Sequence, residues 1–341
     1  MNKQIIDEIF KCYSVNAVEI YGETHLIYAA EGVGSCQIYS GKNFENKKVL
    51  WEGGGGTMSI VAVPDYEGYF FASKGFYSMV DSETSAVYLI RYHQGKFSEV
   101  KLFDIPYLHR FDVIDGPECR YFIGCTLHSG KKDKEDWTQP GKIYVAQLPK
   151  ALEKPIKVEL EILKEGLTQN HGFNRGKWKG QDAVFVASKE GVAVVMPPIQ
   201  AESWKMEQIF EHPVSDVAAI DLDGDGELEF ALLSPFHGNK MNIMKKIGNG
   251  YESVYSYPVP MDFYHAIFAG IIGGKPSFVL GARKDSQQLY LVQYDKEHGY
   301  LSTLIDENVG SSNARIIQIK DKSYIMSANR QIGEAALYTM D

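Results

Sequence analysis

The chain has 341 residues and a formal net charge of −9, which disfavours nucleic acid or an anionic membrane surface as a partner. An aromatic content of 12% and 32 glycines are typical of many short strands joined by tight turns. The four cysteines show no framework spacing and indicate free thiols in a reducing compartment. No apolar run approaches membrane-spanning length, and acidic residues near the N-terminus do not fit a secretory segment, so we expect a cytoplasmic protein.

Pairs of short strands recur along the whole chain. Each pair rises through an apolar strand, turns on Gly, Asp, Glu or Lys, and returns, at 15–30, 58–73, 109–126, 171–188, 215–234, 265–282 and 313–328. A repeat of roughly 48 residues that occurs about seven times is typical of a propeller or a solenoid. The sequence therefore predicts an all-β fold, a single seven-bladed β-propeller. Its blades are expected at about 11–48, 49–104, 105–163, 164–210, 211–257, 258–305 and 306–341 plus 1–10.

The two ends of the chain are expected to share one blade. Residues 4–10 resemble the segments that close other repeats, such as 205–210. The last repeat has strands at 314–319, 324–328 and 335–340 and lacks an outermost strand. We therefore predict that the N-terminal segment pairs with 335–340 and closes the ring.

Histidine and cationic residues recur at two positions of the repeat. In a propeller, the start of each innermost strand and the link after the second strand lie over the same face, so equivalent side chains converge. The candidate catalytic residues at these positions are His109, His171, His265, His128 and His237. The candidate substrate-binding residues are Arg110, Lys74, Lys189, Arg283 and Arg330.

Two kinds of chemistry fit this set of residues. Imidazoles titrate near neutral pH and serve as general acid and base, while cations on an acidic protein suit the carboxylate or enolate of a sugar acid. Together they favour proton abstraction beside a carbonyl, followed by β-elimination or isomerisation. In the alternative, His109, His171 and His265 form a three-imidazole site for catalytic Zn²⁺, Mn²⁺ or Fe²⁺ with open positions for substrate.

An acidic turn at 221–229 carries the most specific motif. Asp221, Asp223 and Asp225 alternate with glycines that let the backbone wrap a hard cation, and Glu229 is placed to complete the oxygen cage. The motif predicts one structural Ca²⁺ or Mg²⁺, with a metal-free Asp-Gly hairpin as the alternative.

This turn resembles the calcium-binding turn of the FG-GAP or VCBS blade repeat. With His171, in Asn170-His171-Gly172, and His265, the seven-blade pattern also resembles the propellers of fungal aldos-2-ulose dehydratase and of the rhamnose–glucuronate lyases. The resemblance implies elimination from sugars or uronic acids at a His-rich channel mouth, in some members with a divalent metal. The chain is too short for the extra domain of the dehydratase and lacks a secretion signal, which implies a cytoplasmic enzyme for a small sugar or sugar acid.

A function of another class remains open. A propeller fold implies no activity by itself, so the chain could be a non-catalytic platform that binds a sugar or a protein. Tyr77, Trp137 and Tyr264 would suit such a surface.

Overall fold

The computed structural model describes residues 1–63, 65–153, 156–199 and 203–340. Residues 64, 154, 155, 200–202 and 341, which fall inside four of the expected blades, lie outside the described residues. No helix in the described residues is long and apolar enough to span a membrane. The strands are β1 (Asn2–Glu8), β2 (Cys12–Ile20), β3 (Glu23–Ala30), β4 (Cys36–Ser40), β5 (Asn46–Trp51), β6 (Ile60–Ala62), β7 (Tyr69–Lys74), β8 (Ala86–His93), β9 (Lys96–Asp104), β10 (Leu108–Asp115), β11 (Cys119–Thr126), β12 (His128–Gly130), β13 (Gln139–Pro149), β14 (Glu161–Leu167), β15 (Gly172–Trp178), β16 (Gln181–Ser188), β17 (Gly191–Met196), β18 (Lys205–Phe210), β19 (Asp216–Ile220), β20 (Glu229–Leu233), β21 (Met241–Ile247), β22 (Gly250–Ser256), β23 (Tyr264–Ile272), β24 (Lys275–Ala282), β25 (Leu289–Asp295), β26 (Gly299–Asp306), β27 (Asn313–Ile319), β28 (Lys322–Asn329) and β29 (Glu334–Thr339).

These strands form seven antiparallel sheets, and within most of them the strand order follows the chain. Five sheets have four consecutive strands, which are β2–β5, β6–β9, β15–β18, β19–β22 and β23–β26. The sheet of β10, β11, β13 and β14 also carries the short strand β12, which pairs with an extension of β13. The predicted all-β, seven-bladed propeller is confirmed.

The seventh sheet joins the two ends of the chain. Its order is β27, β28, β29 and then β1, so the first strand is the outermost strand of the last blade. The pairing runs antiparallel from Asn2 opposite Thr339 to Glu8 opposite Glu334. Lys3 adds an ion pair of 2.6 Å with Glu334. The predicted closure of the ring by the N-terminal strand is confirmed.

The core lies between neighbouring blades. Successive side chains of a strand point to opposite faces of its sheet, so a strand between two neighbours buries both faces. Phe70 and Phe71 on β7 show this, because both are fully buried and Phe70 packs towards the preceding blade while Phe71 packs towards the following one. Burial of such a side chain contributes about 1.5–3 kcal/mol, so contacts between adjacent blades hold the ring together.

The innermost strands surround a central channel with a cavity of about 830 Å³. Ser14, Arg110 and Asn313 line the end where these strands begin. Lys177 and Asp221 line the end where they finish. The channel therefore has two chemically different ends, and the predicted histidines belong to the first.

Candidate active site

Four of the five predicted histidines meet at the end of the channel where the innermost strands begin. We call His109, His171, His237 and His265 the histidine cluster. The centre of the His171 ring lies 4.4 Å from that of His109, 4.2 Å from that of His237 and 5.2 Å from that of His265. The four side chains are only 2–7% exposed. Residues more than 150 positions apart thus form one compact group of imidazoles.

Tyr13 completes this group and was not among the residues predicted from the sequence. Its hydroxyl lies 3.4 Å from Nε2 of His109 and 3.4 Å from Nε2 of His265. The side chain is 3% exposed. The hydroxyl therefore bridges two imidazoles that come from blades on different sides of the channel.

The backbone directs these side chains into the channel mouth. The register of each innermost strand shifts at Tyr13, His109 and His265, where one extra residue interrupts the pairing. Such a bulge bends the strand and re-aims a side chain. The residue two positions before each of Tyr13, His109, His171 and His265 has a positive φ. These residues are Lys11, Tyr107, Gln169 and Phe263, and their φ angles lie between 53° and 63°. Because non-glycine residues adopt this conformation rarely, these matching segments hold a specific shape.

Gly172 brings the fourth and fifth blades into close contact beside His171. A Cβ at this position would lie 2.5 Å from the Cβ of Ala187 and 2.7 Å from the Cα of Asp216. The absence of a side chain lets Asp216 approach until its Oδ2 lies 3.3 Å from Nδ1 of His171. Asp216 is itself fixed because its Oδ1 accepts hydrogen bonds from the backbone N–H groups of Val217 and Phe173.

The hydrogen bonds of two histidines define which ring nitrogen carries the proton. Nδ1 of His265 lies 2.6 Å from the carbonyl oxygen of Ser312, and Nδ1 of His237 lies 3.0 Å from that of Tyr264. A carbonyl oxygen only accepts, so both Nδ1 atoms donate and the Nε2 atoms keep free lone pairs in the neutral rings. Neither ring nitrogen of His171 has a hydrogen-bond partner among the described residues.

The cluster is uncharged at neutral pH. Burial lowers the pKa of all four histidines well below its ordinary value, and neighbouring histidines and arginines lower it further. Burial also raises the pKa of the Tyr13 hydroxyl and raises the pKa of the Asp216 carboxyl to about 6. Neutral imidazoles are the form that accepts a proton or binds a metal.

Three of the clustered rings are suited to a metal ion. One ring nitrogen from each of His171, His237 and His265 lies within 4.8 Å of the others. Nitrogens that share one tetrahedral ion stand about 3.3 Å apart, so small side-chain rotations would bring them into range. Nδ1 bonds to carbonyl oxygens are the usual support of metal-binding histidines. The triad expected from the sequence contained His109, and the structure gathers His237 in its place.

Three of the predicted cationic residues lie near the cluster. Arg110 donates a 2.7 Å hydrogen bond from Nη1 to Oδ1 of Asn313. Arg283 packs over the ring of Phe263 with its guanidinium carbon 4.9 Å from the ring centre. Arg330 forms an ion pair with Glu31. Burial, followed by the charge of Arg330, lowers the pKa of Arg283 to about 10, which shows how closely the two cations approach.

Lys74, Lys189 and His128 are not brought into the cluster. Lys74 turns to its own blade, where its Nζ lies 2.8 Å from Glu99 and packs against aromatic rings. The Lys189 side chain is exposed. The buried His128 ring contacts Tyr107 and Trp137, and its Nε2 lies 2.7 Å from the carbonyl oxygen of Met79.

An apolar cap of Phe76, Leu127, Trp137 and Phe236 covers the cluster on the side away from the channel. The Phe236 ring packs 5.9 Å from His171, and the Trp137 ring packs 5.3 Å from Phe236. Trp137 belongs to the insertion between β11 and β13, and the Nζ of Lys131 lies 3.2 Å from the centre of its ring. Trp137 and Phe236 therefore shield the His171 part of the cluster, whereas His237 also lines a separate cavity of about 580 Å³ to which the insertion does not contribute.

The acidic turn already contains a cation from the chain itself. The Lys245 ammonium forms ion pairs with Asp223, Asp225 and Glu229, the last two at 2.7 and 3.0 Å. Burial acts to lower the pKa of Lys245, but these three carboxylates raise it overall. Asp221 accepts hydrogen bonds from the backbone of Gly224 and Gly226. Oxygens of Asp221, Asp223 and Asp225 lie within 4.8 Å of one another, so the predicted Ca²⁺ or Mg²⁺ stays a prediction, with Lys245 as its competitor.

Comparisons with known proteins define the class of fold. No protein-family model and no curated protein matches the sequence. Among solved structures, the chain is similar to the Cps50 (Swd1) β-propeller domain of Myceliophteria thermophila, with 10% identity, full coverage of both chains and a TM-score of 0.61. It is also similar to a putative 6-phosphogluconolactonase of Bacteroides uniformis, with 10% identity, a TM-score of 0.57 and coverage of 95% of this chain and 91% of that one.

Trypanosoma rangeli sialidase matches more weakly, with 9% identity, a TM-score of 0.49 and coverage of 91% of this chain and 58% of that one. At such identities the matches show the fold and no more. The protein is a seven-bladed β-propeller, and any activity has to be argued from its own site.

Proposed function

We propose that the protein is a carbon–oxygen lyase or dehydratase that acts on a small acidic or keto sugar at the histidine cluster. The observation that carries the proposal is the convergence of four buried, neutral imidazoles and the Tyr13 hydroxyl beside Arg110 and Arg283. Titratable groups with strongly shifted pKa values that share one site are typical of catalysis. The sugar part of the proposal rests on the resemblance of the blade pattern to sugar lyases and dehydratases.

In this proposal His171, His237 and His265 would hold a divalent cation of the Zn²⁺, Mn²⁺ or Fe²⁺ type. Three neutral imidazoles with supporting Nδ1 contacts, one of them to Asp216, suit these metals. Such an ion would polarise a carbonyl or carboxylate oxygen of the substrate. Arg283 would add positive charge next to that oxygen.

His109 and Tyr13 are then left to transfer protons. Nε2 of His109 takes the proton from the carbon beside the carbonyl, the carbon–oxygen bond at the next carbon breaks, and Tyr13 donates its proton to the departing oxygen. The products are an unsaturated sugar and water or an alcohol. Because Nε2 of His109 lies 3.4 Å from the Tyr13 oxygen, the proton can return directly and restore both groups. Return of the proton to a neighbouring carbon would give isomerisation instead.

The test combines metal analysis with a substrate screen. We expect the purified protein to retain about one equivalent of a transition metal, and the His237→Gln and His265→Gln variants to lose it. His93→Gln, at an exposed position outside the site, is the matched control. Uronic acids and keto-sugars are then screened by the absorbance of an unsaturated product.

Activity should depend on Tyr13 and His109 without any change in metal content. General acid–base groups contribute about 10²–10⁴-fold in rate, so Tyr13→Phe and His109→Gln should reduce kcat by that factor. A protein that binds no metal and converts no substrate in the screen would contradict the enzyme proposal and favour the non-catalytic platform.

A further inference from the structure

We infer that the central channel contains a second ligand site, which binds a small dianion and lies further into the channel than the histidine cluster, with Arg110 between the two. Arg110, Arg175 and Arg315 line the cavity from three different innermost strands. Asp112 is the acidic residue that faces them at this depth of the channel. The proposal does not depend on the proposed catalytic function.

The side chains point into the channel because of the strand period. Residues two positions apart on a strand share a face. Arg110 and Asp112 therefore share one face of β10, and Arg315 shares a face of β27 with Asn313, the acceptor of the Arg110 hydrogen bond. Arg175 lies on β15, between these two walls. Three walls of one channel thus each present a guanidinium.

The positive charges in this part of the channel are incompletely compensated. Arg175 lies 3.7 Å from Asp112 and donates a 3.3 Å hydrogen bond to the carbonyl oxygen of Val113. Nε of Arg110 has no hydrogen-bond partner among the described residues. Arg315 makes no hydrogen bond or ion pair with any residue that the structure describes. Its guanidinium carbon packs 5.3 Å from the centre of the Phe268 ring. Arginine stays charged in proteins, so three cations face Asp112, and Arg110 among them also acts on a second carboxylate, that of Asp216 beside the histidine cluster.

Other charged groups that line the channel are already satisfied. Lys177 pairs with Asp182 at 3.0 Å, near the end where the strands finish. Asp221 belongs to the acidic turn and accepts backbone hydrogen bonds there. Burial lowers the pKa of Arg315 and raises the pKa of Asp112, as expected for charges held away from bulk water. A surplus of positive charge, between one and two charges when the share of Asp216 in compensating Arg110 is counted, therefore lies in the middle of the channel.

The chemistry of the site selects the ligand class. A guanidinium presents paired N–H donors that match the oxygens of phosphate or carboxylate groups. Buried charges are normally paired, and a ligand with two negative charges would balance this surplus. The cavity of about 830 Å³ is in the size range of small-molecule sites, so it can hold an organic phosphate or a short dicarboxylate.

Thermal unfolding and calorimetry with two probes test this site. Inorganic phosphate and malonate should each raise the Tm of the wild-type protein above that in sodium chloride of the same ionic strength, because they bind the folded state. Loss of one charge-assisted contact should weaken the calorimetric Kd about 10- to 100-fold in Arg315→Met and in Arg175→Met. Lys189→Met removes the same charge from an exposed position and should leave the Kd unchanged.

The Arg315→Met variant should fold, because the substitution relieves repulsion among cations in the absence of ligand. An effect of phosphate alone would assign the site to phosphoryl groups, and an effect of both probes would assign it to dianions in general. No rise in Tm with either probe, or full retention of the effect in both arginine variants, would overturn the inference. The same titrations in His265→Gln separate this site from the cluster, since phosphate binding should persist there.

Discussion

Acidification should destabilise the metal-free protein steeply because of the histidine cluster. Burial holds the pKa of its four histidines well below the ordinary value, so the folded protein takes up no proton there at mildly acidic pH. The unfolded chain takes up protons at these positions as the pH falls below about 6.5. Their contribution to stability is therefore complete above that pH and is lost as the pH falls further.

The size of the loss follows from proton linkage. Between about pH 7.5 and pH 5.5, each such histidine costs about 1.4 kcal/mol, and four cost roughly 5 kcal/mol. Asp216 works in the opposite direction, because its pKa of about 6 in the folded state lies above that of an unfolded aspartate. Its proton uptake restores about 1 kcal/mol over the same range. The net loss from these five groups, about 4–5 kcal/mol, is a large share of the 5–15 kcal/mol that stabilises a typical protein. His128 adds to the loss in the same direction, because burial lowers its pKa to about 4.

Urea unfolding in the presence of a chelator, at both pH values, measures this loss. His265→Gln removes one titrating group and should reduce the difference between the two pH values by about 1.4 kcal/mol. His93→Gln removes an exposed histidine and should leave the difference unchanged. A loss below about 1 kcal/mol in the wild type, or equal losses in all three proteins, would refute the reasoning.

Three further predictions concern the frame around the site. Deletion of residues 1–10 should lower the Tm by several degrees, because it removes the outermost strand of the last blade. This is more than trimming a free terminus does, and an unchanged Tm would show that closure of the ring by β1 does not stabilise the protein. Lys245→Met should leave the carboxylates of the acidic turn without their cation, so the Tm of the variant should fall in chelator and rise again with Ca²⁺. A Tm that does not rise at any Ca²⁺ concentration would argue for a plain hairpin. Trp137→Ala should speed modification of the histidine cluster by diethyl pyrocarbonate at least about 10-fold if the apolar cap controls access. Equal rates would show that the reagent enters by a route that the cap does not cover, such as the channel or the cavity beside His237.

The fold could be read from the sequence because each blade is local in the chain. A four-stranded antiparallel sheet with short turns gives the sequence a period that can be recognised without any alignment. The last repeat has only three strands of its own, which predicted that the N-terminal segment supplies the fourth. The insertion after Thr126 was less readable. Its polar composition is typical of a loop, yet residues 128–130 extend the third sheet and Trp137 packs into the apolar cap.

The site was readable only where the repeat register was unambiguous. His109, His171 and His265 could be found because they occupy equivalent places in successive repeats, but no residue of the first blade was predicted as a site residue at that place. The structure shows that Tyr13 holds that place, with a register shift like those at His109 and His265. A bulge adds a residue without a sequence signature of its own. The available signal was the Tyr13-Ser14 pair, which aligns with Met58-Ser59 at the start of the second blade.

Side-chain direction after the second strand could not be predicted. Lys74, Lys189, His237, Arg283 and Arg330 occupy similar positions in the repeat, but each link has its own length and shape. His237 adopts φ 52° and turns inward, while Lys74 turns outward to Glu99. The sequence alone does not encode that choice. It therefore could not show that His237, and not His109, places a ring nitrogen within 4.8 Å of those of His171 and His265.

The pairing of β1 with β29 also has a consequence for how the protein is made. The strand that completes the last blade is synthesised before every other strand of the propeller, and its partner follows more than 300 residues later. At about 5–20 residues per second, this interval lasts roughly 15–65 seconds. During that time β1 is an unpaired edge that other chains can capture. A circular permutant that begins at Lys11 and carries residues 1–10 after the present C-terminus would place all four strands of that blade together, and it should refold with less aggregation than the natural order.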